Sequence, residues 1–158
     1  MNDGTVEERD GNHALRFKRR IEHPIETVWE AIATPDGIRR WLGAAEIELT
    51  VGGTVHLQFD KTVGNVVHGR VTEVDPPRVL EYTFGEEDPP SVLRWELRPA
   101  DGATDLVLTH TLPTPEHIGD ALAGWETLLD MIPAAIAGGD PQWSKERWDE
   151  VRAGYANV

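Results

Sequence analysis

The sequence predicts an α+β fold: a curved antiparallel sheet of about six to seven strands wrapped around a long C-terminal helix, with two short helices after the first strand. Three observations carry this. From His117 to Ala137, the residues Ile118, Leu122, Trp125, Leu129, Ile132 and Ile136 recur at spacings of three and four. That period lays one apolar stripe along a helix of about 20 residues, about 30 Å long. Between residues 45 and 112 the period is two, in short runs divided by turn residues. Finally, a lone helix with one apolar face, preceded by strands, must bury that face against their sheet. A curved sheet around such a helix can enclose an internal cavity, which is the expected functional site.

Residues 1–12, MNDGTVEERDGN, are polar and acidic and read as a disordered tail, neither signal peptide nor membrane span. Ala14 to Glu22 is the first strand, with Leu15, Phe17 and Ile21 facing inward. His23-Pro24 stops it, and Pro24 suits the first turn of a helix. Ile25, Val28, Trp29 and Ile32 follow at i, i+3, i+4 and i+7. Thr34-Pro35-Asp36 ends that helix and opens a shorter one reaching Trp41-Leu42.

Strands are expected at 45–51, 54–60, 64–74, 79–85, 91–98 and 104–112. Gly52-Gly53, Asp60-Lys61, Asp75-Pro76-Pro77, Asp88-Pro89-Pro90 and Asp101-Gly102 separate them, so they form an antiparallel meander. Thr114-Pro115 supplies an N-cap and first-turn proline to the long helix. Pro133 predicts a kink or early end near Met131, and Gly138-Gly139 closes the element. A last helix from Trp143, capped by Ser144, carries Trp148, Val151 and Tyr155, which dock on the body or make a dimer contact. The organisation is thus a tail over 1–12, a domain over 13–139 and a helical extension over 140–158.

A chain of 158 residues is one domain with room for a substantial core. Its 28 acidic and 15 basic residues give a formal net charge of −13, a field that repels nucleic acid and anionic membranes. The absence of cysteine excludes disulfides and thiolate chemistry and fits a reducing compartment; a cytoplasmic protein, monomer or homodimer, is expected. There is no phosphate-cradling Walker loop, dinucleotide glycine fingerprint or nucleophile elbow, and Ser91 and Ser144 are the only serines. The histidines at 13, 23, 56, 68, 110 and 117 show no tight ligand spacing. His56 and His68 share the solvent face of adjacent strands and read as surface histidines, so no metal and no cofactor is expected.

Alternation sorts the strands into two faces. The face turned to the long helix holds Val55, Leu57, Phe59; Val67, Gly69, Val71; Leu80, Tyr82, Phe84; Leu93, Trp95, Leu97; and Leu106, Leu108, His110. The ligand-binding lining expected from this face, the corner and the long helix is Trp41, Leu57, Phe59, Tyr82, Trp95, Leu108, His110, Trp125 and Leu129. His110 admits three readings: a neutral core imidazole bonded to a backbone carbonyl, a group that orients a ligand, or a general acid/base. No partner for it is visible in the linear sequence, so no catalytic residue is assigned and His110 is the only candidate.

These residues, in order, resemble the START-like helix-grip proteins of the SRPBCC superfamily. The nearer resemblance is to stand-alone bacterial homologues of the activator of heat-shock-protein-ninety ATPase. The resemblance rests on His23 to Ile32, the corner from Thr34-Pro35-Asp36 to Arg40-Trp41-Leu42, and Gly52-Gly53. It continues through Gly69-Arg70-Val71, Val74-Asp75-Pro76-Pro77, Leu106 to His110 and Gly124-Trp125, about residues 14–137. It implies a helix-grip fold and relatives that bind apolar small molecules, with occasional cyclases, hydrolases and co-chaperones; fold alone does not choose among them. The expected function is binding of a hydrophobic small molecule, aromatic or lipid-like, in the internal cavity. The alternatives are a chaperone-interaction module and a cyclase or hydratase using His110 as acid/base. Pro133 and the segment beyond Gly139 depart from the family pattern.

Overall fold

The computed structural model describes residues 2–59 and 66–157. Its elements are β1 (Thr5–Arg9), β2 (Asn12–Ile21), α1 (Ile25–Ala33), α2 (Pro35–Arg39), β3 (Ala45–Ile47), β4 (Thr54–Gln58) and β5 (Val66–Asp75). They continue with β6 (Val79–Thr83), β7 (Val92–Ala100), β8 (Ala103–Leu112), α3 (Ile118–Leu129), α4 (Ile132–Ile136) and α5 (Lys145–Gly154). The strands form one curved antiparallel sheet in the order β1-β2-β8-β7-β6-β5-β4-β3, an α+β helix-grip fold. Six strands are the expected meander, and β2 closes against the last of them. The expected strand ends at 60 and 64 lie outside the described residues.

The eighth strand corrects the reading of residues 1–12 as a tail. Asp10 (φ 53°) and Gly11 (φ 82°) form a tight two-residue turn that pairs Arg9 with Asn12 and folds β1 onto β2. Such turns need two left-handed residues, which Asp-Gly supplies at little cost. Upstream of β1, residues 2–4 are built into the body. Asn2 Nδ2 donates to the Val151 carbonyl at 3.0 Å, and Gly4 N donates to the Tyr155 hydroxyl at 2.8 Å. The Asp3 carboxylate takes Arg19 at 2.6 and 3.0 Å. These three residues join β2, α3 and α5, contacts too distant in sequence for local patterning to reveal.

In the corner after β2, Thr34 caps α2 by accepting from Gly37 N at 3.1 Å, with Pro35 in the first turn. The long helix begins later than Thr114-Pro115 suggests: His117, in the left-handed region (φ 64°), precedes Ile118, and no side chain caps it. Thr114 lies too far upstream to reach the first-turn amides. The break near Met131 stands where expected. Residue 133 would donate its N–H to the Leu129 carbonyl, and proline has none, so α3 ends at Leu129 and α4 restarts at Ile132. Ser144 caps α5 by accepting from Arg147 N at 3.1 Å. Val151 and Tyr155 are buried, with α5 lying against α3. No helix among the described residues is long and apolar enough to cross a membrane.

The core lies between the concave face of the sheet and α1, α3 and α4. Leu57, Val71, Leu80, Leu93, Trp95, Leu106 and Leu108 from the strands meet Val28, Ile32, Leu122, Trp125, Leu129 and Ile132 there. On the convex face charged pairs replace them: Arg94 sits among Glu73, Glu81 and Glu96 at 2.9, 3.0 and 3.5 Å.

Candidate functional site

Parity on four strands and one helix stripe bring aromatic rings together across the core. Trp41, from the turn after α2, meets Trp95 of β7 edge-on at 6.0 Å between ring centroids. Trp95 meets Trp125 of α3 at 6.0 Å, the cross-interior contact from sheet to helix. Trp125 continues to His110 of β8 at 6.0 Å, His110 to Phe84 at 5.0 Å, and Phe84 to Phe59 at 6.0 Å. Edge-to-face geometry recurs at 73° to 88° in these pairs, the orientation the ring quadrupoles favour. Six rings thus form one path, and half-buried Phe84 is where it approaches the surface.

Seven of the nine lining residues expected from sequence take their places on or beside this path. Trp41, Trp95, Trp125, His110 and Phe59 lie on it, Tyr82 touches Trp95, and Leu108 stands opposite Trp95 in the β7–β8 register. Leu57 and Leu129 are buried in the same core. Trp41 is packed beneath the corner, 2% exposed. Two residues absent from the expected lining matter as much. Phe84 links Phe59, His110 and Trp125, and Ser91 partners His110. Both were within reach of the alternation: Phe84 continues Leu80 and Tyr82, and Ser91 precedes Leu93 and Trp95 by the same step of two.

The polar groups on this face form a directed chain. Trp125 Nε1 has only a hydrogen to give and donates to His110 Nδ1 at 3.0 Å. Nδ1 is therefore the bare nitrogen, and the ring hydrogen sits on Nε2, which points to Ser91 Oγ at 3.1 Å. Ser91 Oγ in turn donates to the Phe84 carbonyl at 2.7 Å. Burial, with His110 5% exposed, pushes the imidazole down from 6.5 to about 4 and keeps it neutral. The neutral core imidazole is the arrangement found, held by two side chains in place of a backbone carbonyl. Trp41 Nε1 donates to the Ala31 carbonyl at 2.8 Å, and Trp95 Nε1 to the Tyr82 hydroxyl at 3.4 Å. Burial also pushes Tyr82 up to about 12, so it remains a neutral phenol.

Open clefts lie on the other surfaces. One of about 690 Å³ on the convex face is rimmed by Arg16, Lys18, Arg20, Arg78 and Arg98. Another, of about 530 Å³, holds His56, His68 and Arg70 with Glu46 and Glu87. His56 and His68 stand opposite each other on β4 and β5, ring centroids 4.5 Å apart. Among the described residues, no group of three His, Asp or Glu side chains is placed to hold a metal ion.

A curved sheet gripping a long helix is the helix-grip fold of the SRPBCC superfamily. Residues 22–137 match the family described as Activator of Hsp90 ATPase homolog 1-like protein, and the chain belongs to that family. Among solved structures it is similar to CalU16 from Micromonospora echinospora, at 24% identity and a TM-score of 0.80, over 98% of this chain and 96% of that one. It is also similar to the BPP1335 protein of Bordetella parapertussis, at 28% identity and a TM-score of 0.74, over 98% and 90% of the two chains. The Aha1 dimer from Colwellia psychrerythraea shares the fold at 18% identity, TM-score 0.70, over 81% of this chain and 98% of its own. No curated protein matches the chain.

Proposed function

We propose that this protein binds a hydrophobic small molecule, aromatic or lipid-like, between the sheet and α3, where Phe59, Phe84, His110 and Trp125 meet. The ring path from Trp41 to Phe59 carries this reading. Its faces and edges suit planar apolar molecules, and its neutral imidazole presents no charge that a buried ligand would have to match. Because Trp125 and Trp95 lie on the path, a ligand that enters it changes their fluorescence.

The test is thermal unfolding and tryptophan fluorescence against a panel of neutral aromatics and fatty acyl compounds, repeated on Trp125→Ala. A ligand at 100 times its Kd adds about 2.7 kcal/mol of stability, a rise in Tm of several degrees. A saturable rise that Trp125→Ala weakens supports the reading. A panel that moves neither Tm nor fluorescence, with the protein folded, refutes it.

The family match favours a second reading, docking to a chaperone through an exposed surface. On that reading a bacterial Hsp90-type chaperone is retained by the immobilised protein at micromolar concentration, whatever the state of the interior. Failure to retain it counts against docking.

A further inference from the structure

All but one of the strong hydrogen-bond donors around the aromatic path can be followed to an acceptor. The indole N–H of Trp41 goes to the Ala31 carbonyl, that of Trp125 to His110, and that of Trp95 to the Tyr82 oxygen. His110 Nε2 goes to Ser91, and Ser91 to the Phe84 carbonyl. Thr127 on α3 turns its hydroxyl back to the Ala123 carbonyl at 2.7 Å. One donor is left over. Tyr82 is 3% exposed and its hydroxyl accepts from Trp95, while among the described residues its own hydrogen has no acceptor. Buried donors are rarely left so, and each such case calls for an explanation.

We infer that Tyr82 is the polar anchor of the interior site, donating its hydroxyl hydrogen to a carbonyl or ether oxygen of a neutral, otherwise apolar ligand. This deepens the binding reading above and rests on it. The geometry favours an acceptor on the ligand over a donor. A ligand hydroxyl would have to compete with Trp125 for His110 Nδ1 or with His110 for Ser91, whereas an acceptor disturbs nothing already made. A neutral ligand is favoured over a carboxylate because, among the described residues, the core offers no cation. The buried polar and charged side chains are Ser91, Thr104, His110, Glu126 and Thr127, and the one titratable base among them is held neutral. An unpaired buried anion is costly. Once the ligand oxygen is in place, Trp95, Tyr82 and that oxygen form a head-to-tail chain in which each bond polarises the next. Tyr82 then does what the sequence suggests for His110, whose two nitrogens are already committed.

The test uses two rigid aromatics differing in one group: 9-fluorenone, with a carbonyl, and fluorene, with a methylene. Each is titrated into the wild type and Tyr82→Phe by tryptophan fluorescence, and the carbonyl stretch of bound fluorenone is recorded by infrared difference. The expected result is fluorenone binding about tenfold more tightly than fluorene to the wild type. Its stretch moves to lower frequency, and both differences vanish in Tyr82→Phe. Equal affinities of both compounds for the wild type, with an unshifted carbonyl, overturn the anchor and leave interior binding standing; the uncommitted hydrogen then belongs to a buried water. Binding of neither compound up to its solubility overturns interior binding for this class and the anchor with it. If Tyr82→Phe fails to fold, the wild-type comparison and the infrared shift still decide.

Discussion

His110 gives a pH dependence whose sign and size both follow from its burial. In the unfolded chain an imidazole titrates near 6.5; in the core desolvation lowers it to about 4. Between these values the unfolded state binds a proton that the folded state refuses, so stability rises with pH across this window. The contribution is fully present above about pH 6.5 and is lost as pH falls toward 4. At about 1.4 kcal/mol per pH unit, the full span is worth about 3 kcal/mol. Other groups titrate in the same range, so the assay must isolate this one. Urea unfolding of wild type and His110→Gln, at half-unit intervals from pH 4.5 to 7.5, does so by subtraction. The wild-type stability should fall more steeply below pH 6.5, by about one proton's slope, while the two curves run parallel above pH 7. Nitrogen-15 spectra of the ring should show the Nε2–H tautomer throughout. Parallel curves down to pH 4.5, or a ring that protonates near 6.5, would refute the account of a dry, neutral imidazole.

Three further perturbations probe the rest of the structure. Gly4→Ala should destabilise by about 1–3 kcal/mol in urea, because a Cβ there would stand 2.7 Å from the Phe17 ring and 2.8 Å from Leu122. Tyr155→Phe removes a hydroxyl that accepts from Gly4 N and donates to buried Glu126 at 2.6 Å; a loss of about 2 kcal/mol is expected, with faster amide exchange at Gly4. Thr34→Ala should cost about 1 kcal/mol by uncapping α2, read as a lower urea midpoint at unchanged m-value.

What the sequence disclosed divides by range. Period and turn chemistry act locally, so the meander, the α1 stripe, the Ser144 cap and the break at Pro133 were all legible. Parity further assigned Tyr82, Trp95, Leu108 and His110 to one face, and the Asp101-Gly102 turn fixes the register that sets Leu93 opposite His110. The same dipeptide at Asp10-Gly11 makes the same kind of turn. There the acidic composition masked the signal, since β1 is an edge strand exposed along its length and needs no apolar face. The 2–4 segment was not legible, because its partners lie on β2, α3 and α5, more than a hundred residues away for Val151 and Tyr155. The polar chain was partly legible. His110 stood out as polar on an apolar face, but its partners come from a helix and from the loop before β7, which only the folded structure brings together.

The direction of that chain bears on chemistry at His110. A serine becomes a nucleophile when a neighbouring imidazole takes its proton, which requires a bare nitrogen facing the hydroxyl. Here the bare nitrogen faces Trp125, which can only donate, so the nitrogen facing Ser91 must carry the hydrogen. Ser91 is the acceptor in that contact, and its own hydrogen is held by the Phe84 carbonyl. Reversing the chain would set two N–H groups against each other at Trp125 and His110. General-acid work meets a second obstacle: burial holds His110 well below its ordinary range, so the ring is neutral at pH 7. The resident arrangement therefore opposes both halves of an acid/base cycle, and it does so through Trp125, a residue that has no proton-transfer role of its own. What the chain does accomplish is mechanical. It ties α3 to β8 and to the segment entering β7, fixing the rings around Phe84 so that the interior presents one defined aromatic surface.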